Sequence, residues 1–293
     1  MSDPRLTARN GDYQGHAFAL LMLSSLLFTL GVLFMLIADV FLRGFPVISE
    51  RGADFLYSTL SSRPENAGVF QGLLGSGILA VIVAVISFPL GVATAIYLEE
   101  YAGSSKIARL IQVNIRNLSG VPSVVYGLLG LAVFVPIFGR SAIAGGATLA
   151  VLVLPIVVIT ASEALRAVPS SLREAGYGIG ASPWEVTSRL VLPAAAPSIL
   201  TGMILAMTRA LGETAPLIVA GAVLGSFSGT NVISMITGTY TSLPVVIYDW
   251  SRRPQDAFRA DAAAAIIVLL IVVLAISSIA IVIRKHFEGK NHA

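Results

Sequence analysis

The chain has 293 residues, of which 56% are hydrophobic and only 12% charged. That is about half the usual charged share of a soluble domain, and the mean hydropathy is +0.85. Charge this sparse cannot cover the apolar surface in water, so a free soluble enzyme, a disordered tail and a secreted disulfide scaffold are all excluded. Cysteine is absent, which removes thiol catalysis and thiolate metal sites. The net charge of +3 and pI near 9.3 fit basic loops flanking membrane helices better than a nucleic-acid footprint.

In chain order, charge-free runs cover 13–38, 66–98, 117–139, 141–162 and 262–283. Each exceeds the roughly 20 residues a helix needs to cross about 30 Å of hydrocarbon. A sixth apolar stretch, 198–224, is interrupted only by Arg209 and Glu213. The expected fold is therefore an all-α membrane protein with six transmembrane helices, near 17–40, 70–98, 120–139, 142–164, 198–224 and 262–284. The first run is too long for a signal peptide and has no small-residue cleavage site before Asp39 and Arg43, so it reads as an uncleaved anchor. Asp39 is expected to cap its outer end. Pro193 and Pro197 precede the fifth helix, where proline is tolerated at a helix start. The uncharged run 231–248 is rich in Ser, Thr and Gly and carries Pro244. It is expected to be an external loop dipping partly into the membrane, not a seventh span.

Lys and Arg set the orientation. With the N-terminus inside, the cytoplasmic segments hold Arg5, Arg9, Lys106, Arg109, Arg116, Arg166, Arg173, Arg189, Arg284, Lys285 and Lys290. The outer segments, longer in total, hold only Arg43, Arg51, Arg63, Arg140, Arg252, Arg253 and Arg259. Both termini are expected in the cytoplasm. The chain then divides into a cytoplasmic N-terminal segment 1–16, a first helix and external loop 17–64, a core 65–284, and a cytoplasmic tail 285–293.

The cytoplasmic loop 163–197 carries the most informative residues. Pro169-Ser170-Ser171 starts a short helix, expected from about Ser171 to Tyr177. Gly176, Gly178 and Gly180 then break it and permit unusual dihedrals. Ser182-Pro183-Trp184-Glu185 starts a second helix as a capping box with proline at the first position. By physics alone this is an amphipathic loop on the headgroups. The residues Glu174-Ala175-Gly176, Gly180, Leu190 and Leu192-Pro193, however, follow the pattern E-A-A-x3-G-x9-I-x-L-P and depart from it only at Gly176 and Leu190. In this the chain resembles the permease subunits of ATP-binding-cassette importers, with a type I importer permease fold. The resemblance implies a coupling helix docked in a groove of a cytoplasmic ATPase, with Glu174, Ala175 and Gly180 at the contact. No G-x-x-x-x-G-K-[ST] occurs in the sequence, so ATP and Mg belong to that partner. This chain is expected to have no cofactor, no metal site and no catalytic residues of its own.

Arg209 and Glu213 lie in the fifth apolar stretch, where each charge costs roughly 2.5–3.5 kcal/mol at a helix centre. Their i,i+4 spacing places them on one helix face. They form either a self-neutralising pair that locks the bundle or an anion site. In the second reading Glu213 orients the guanidinium fork, and Thr208 and Thr214 add hydroxyl donors unless these bond only their own backbone. The run Arg209-Ala210-Leu211-Gly212-Glu213-Thr214-Ala215-Pro216-Leu217 is similar to phosphate-specific (Pst) permeases. The Ala-Pro-Leu continuation and Leu243-Pro244-Val245-Val246-Ile247-Tyr248-Asp249-Trp250 point to the PstA type. Ser119-Gly120-Val121-Pro122-Ser123-Val124-Val125-Tyr126-Gly127 is similar to a segment of both PstA and PstC types. Ser119 and Ser123 read as helix caps, Gly127 and Gly130 as close-packing positions, and Tyr126 as a pore-lining donor. His16, His286 and His292 have no metal-ligand spacing.

The resemblance implies a multi-pass permease of the bacterial inner membrane that imports inorganic phosphate. Its partners would be a PstC-type sister, two PstB-type ATPases, an external PstS-type binding protein and membrane lipid, with no nucleic acid. Three rivals stand beside it. One is a permease for molybdate, sulfate or another oxyanion. Another is a proton-coupled secondary transporter using Glu213, which leaves the loop motif unexplained. The third is a purely structural membrane assembly factor.

Overall fold

The computed structural model describes residues 13–103, 105–223 and 232–291. Arg5, Arg9, His292 and the 224–231 part of the outer loop lie outside the described residues. Among the described residues, five helices are long and apolar enough to cross a membrane: α1 (Gly15–Arg51), α2 (Phe70–Tyr101), α5 (Ala142–Arg166), α7 (Pro183–Gly212) and α11 (Asp256–Val282, continuing to Asn291). α3 (Lys106–Ser119) and α4 (Ser123–Phe138) are together long and apolar enough to form a sixth candidate span, but they bend by 109° at their junction. The shorter helices include α6 (Ser170–Gly178), α8 (Ala215–Val219), α9 (Val232–Thr237) and α10 (Leu243–Arg252), besides a short turn of helix at Ala53–Tyr57.

α5 is the central post. Its sequence is apolar all round, as a helix buried within a bundle requires, and α2, α4 and α7 pack about it. Leu149, Val153 and Val157 of α5 meet Leu79 and Val83 of α2 and Ala206 and Ala210 of α7 in one cluster. Small residues let the backbones approach: Gly202 of α7 sits directly on the Thr160 side chain, since no desolvation drive holds helices together in lipid. α1 differs sharply. Its most apolar window has no buried residue, and it joins the bundle only towards its C-terminal end. There a Cβ on Gly44 would stand 2.6 Å from the Ala263 backbone of α11, and Arg51 pairs with Asp261 at 3.3 Å.

The expected ends of three helices change. The fifth helix is expected over 198–224 but runs from Pro183 to Gly212, passing through a π turn at Thr187–Val191 with Pro193 and Pro197 inside it. It stops because Gly212 gives no helical support and Pro216 disfavours helix at the residue before it. The loop through 231–248 is no seventh span. α9 and α10 are short, and Tyr240 to Val246 are buried inside the bundle, with the Leu243 N–H donating to Ser76 Oγ at 2.9 Å. The first and last helices also overrun their expected ends, because their polar flanks stay helical past the apolar run.

Candidate functional site

At one end of the bundle, α6 and the start of α7 form a hairpin of helices. Ser182 accepts from the Glu185 N–H at 3.3 Å, and the Glu185 carboxylate accepts from the Ser182 N–H at 3.0 Å, a complete capping box. α6 closes in a Schellman motif: Ala181 N–H donates to Gly176 O at 3.2 Å and Gly180 N–H to Tyr177 O at 2.9 Å. Gly180 holds φ at 85°, in the left-handed region. Glu174 and Ala175 are exposed on α6, while Leu190 and Leu192 tuck against Val186, Val191 and Ala195. Pro193 is exposed near the membrane-proximal end. Gly176 is buried against Leu190 and Val186. Beyond the motif, Ile179 is 86% exposed and Trp184 65% exposed, an apolar tip that spacing alone does not single out.

A clamp fastens this hairpin to the spans. Arg166 makes a bidentate pair with Glu99 at 2.7 and 2.8 Å. Arg173 of α6 pairs with Glu100 at 2.7 Å and donates to the carbonyls of Val168 and Leu165. The hydrogen bond to Glu100 pushes the Arg173 pKa further up, so its charge is permanent. The adjacent glutamates that end α2 are the sequence signal for the clamp.

The charged pair lies at the opposite end of α7. Arg209 and Glu213 are expected mid-helix; instead the helix ends between them, and Glu213 is extended at φ −79°, ψ 124°. Arg209 Nε still reaches Glu213 Oε1 at 3.4 Å, because the carboxylate folds back across the break. The guanidinium thus sits in the last turn, where the helix dipole favours a cation. Its side chain is 44% exposed, and Ser198, Leu205 and Gly212 share its uncovered face of α7. Thr214 is half-buried where α8 begins, and its side chain makes no cap bond. Thr208 is turned away: its hydroxyl donates to Ile204 O at 2.9 Å and lies 3.4 Å from Ser277 of α11.

α8 packs against α4, and Gly127 makes room: a Cβ there would stand 2.8 Å from Pro216 Cα. Gly130 sits closer still, directly against the Thr148 side chain. Tyr126 lies within reach of the Arg209 charge, but it is buried and its hydroxyl donates to Leu118 O at 2.8 Å, holding the bend between α3 and α4. Ser119 donates back to Arg116 O and Ser123 makes no cap bond, so neither is the expected N-cap. Asp39 pairs with Arg43 at 2.9 Å. Among the described residues, no group of His, Asp or Glu could hold a metal.

A bundle of long apolar helices with a capped helical hairpin at one end has the build of a membrane permease subunit. The chain belongs to the binding-protein-dependent transport system inner membrane component family, whose pattern matches residues 87–291. It is 37% identical over 238 residues to the phosphate transport system permease protein PstA of Mycobacterium leprae (strain TN), covering 80% of this chain and 76% of that one. It is 34% identical over 240 residues to the same-named protein of Yersinia pestis, covering 81% and 79%. A chain of the bacterial alginate ABC transporter, solved with an alginate pentasaccharide-bound periplasmic protein, aligns with TM-score 0.66 over 91% of this chain and 93% of its own at 14% identity. That last likeness is one of fold alone. The protein is a multi-pass inner-membrane component that works with other transporter subunits.

Proposed function

We propose that this chain is the PstA-type half of a heterodimeric pore importing inorganic phosphate. The observation that carries the reading is Arg209, partly open at a helix break and aligned by Glu213. Broken membrane helices expose polar backbone where ions are handled. A guanidinium fork matches the oxygens of a tetrahedral oxyanion, and its charge offsets the cost of bringing an anion into low dielectric. Glu213 keeps the cation paired when no anion is present. Thr214, at the helix break, is the auxiliary donor; Thr208, held to its own helix and α11, is the weaker one.

In this scheme both termini are cytoplasmic, and ATP is hydrolysed on two PstB-type subunits beneath the coupling hairpins of this chain and its PstC-type sister. Glu174, Ala175 and Gly180 meet the ATPase, joined by Ile179 and Trp184. A PstS-type binding protein delivers phosphate to the outer segments 41–67 and 225–261. The test is Arg209→Gln, with radiolabelled phosphate uptake measured in cells carrying the complete importer. Uptake is lost while membrane insertion and complex yield stay at wild-type level; normal uptake overturns the site. Because a guanidinium does not by itself separate phosphate from sulfate or molybdate, competition among the three identifies the cargo.

A further inference from the structure

The far side of α7 carries a groove that the proposed anion path does not use. It encloses about 260 Å³ and is almost wholly apolar, lined by Phe88 of α2, Leu200, Met203 and Met207 of α7, and Ile276 and Ala280 of α11. At 3.6 residues per turn, Leu200 and Met207 point roughly half a turn away from Arg209 around the helix. Val85, one turn from Phe88 on α2, is exposed, so the groove opens onto the apolar outer surface of the bundle.

The cytoplasmic end of the groove is basic. α7 and α11 run antiparallel, with Thr208 beside Ser277 and Thr201 accepting from Arg284 Nη1 at 3.1 Å. Arg284 therefore stands one turn beyond Ala280, and the exposed Lys285 follows it. An apolar slot between helices with cations at its cytoplasmic end is complementary to a lipid whose headgroup is anionic. The methionines suit it, because their unbranched chains adapt to an irregular guest.

We propose that this groove holds one acyl chain of an anionic glycerophospholipid, whose phosphate is bound by Arg284 and Lys285. The assembled importer would be purified, equilibrated with vesicles of phosphatidylglycerol or of phosphatidylcholine, and its retained lipid counted by native mass spectrometry. The wild type retains one lipid and prefers phosphatidylglycerol; each cation near a headgroup contributes about five-fold. Arg284→Gln lowers that preference about five-fold while the lipid still binds. Ala280→Phe fills the groove and abolishes retention of both lipids; Met207→Trp fills it from the other helix and decides the case if Ala280→Phe does not assemble. Undiminished phosphatidylglycerol on the filled groove overturns the chain placement. An unchanged preference in Arg284→Gln overturns the headgroup assignment. Crosslinking of Met207→Cys to the sister permease, with no lipid retained by the wild type, overturns the proposal as a whole.

Discussion

Gly176 and Leu190 are the two positions at which the loop departs from its pattern, and they touch. A Cβ on Gly176 would stand 2.8 Å from Leu190 Cδ1 and 2.8 Å from Val186 Cγ2. The leucine branch thus fills the space an alanine methyl would take, and the departures compensate each other. Gly176→Ala gains about 1 kcal/mol of helix propensity but overpacks, at about 1–3 kcal/mol. It is expected to lower the thermal midpoint of the purified complex, and adding Leu190→Ile restores part of it. The double-mutant cycle should give a coupling of about 0.5–3 kcal/mol; strict additivity would refute the compensation. Two mild deviations in the sequence are in this way one packing solution.

At the scale of elements, the most local devices were the most legible. Ser182, Pro183 and Glu185 announce a helix start because capping is settled within four residues. Gly180 announces a turn because few other residues take its φ of 85°. Gly180→Val strains the Schellman turn by roughly 1–2 kcal/mol and shifts Ile179 and Trp184. Co-purification of the ATPase should fall while membrane insertion is unchanged; undiminished complex and transport would remove the turn from the coupling contact. The end of α7 was readable too, since Gly212 and Pro216 bracket Glu213, but a window of apolar residues outweighed them. Where α3 bends into α4 was not readable. The bend depends on the Tyr126 hydroxyl reaching Leu118 O and on α8 seating against Gly127, a contact made by a distant segment.

For the whole molecule, long-range ion pairs connect what the sequence leaves separate. Arg166 meets Glu99 across 67 residues and Arg173 meets Glu100 across 73. Composition tells that charges are few; it does not tell which of them marry. Glu100 is nearly enclosed and Arg173 partly so, so removing one partner leaves the other poorly solvated. Glu100→Gln should therefore leave the ATPase bound but loosen α6 from α2. Phosphate uptake per ATP hydrolysed is expected to drop in proteoliposomes; an unchanged ratio would show that the clamp does not carry the motion.

The pairing of α1 with α11 bears on how the protein is made. Arg51 and Asp261 are 210 residues apart, and ribosomes add about 5–20 residues per second. The first helix therefore waits in the bilayer for roughly ten to forty seconds before its docking surface is synthesised. During that interval this end of α1 lacks the Asp261 carboxylate for Arg51 and the Ala263 backbone that fills the notch at Gly44. A ribosome that stalls before Asp256 leaves both uncovered, so a quality-control protease has a chemical mark that separates an unfinished chain from a finished one.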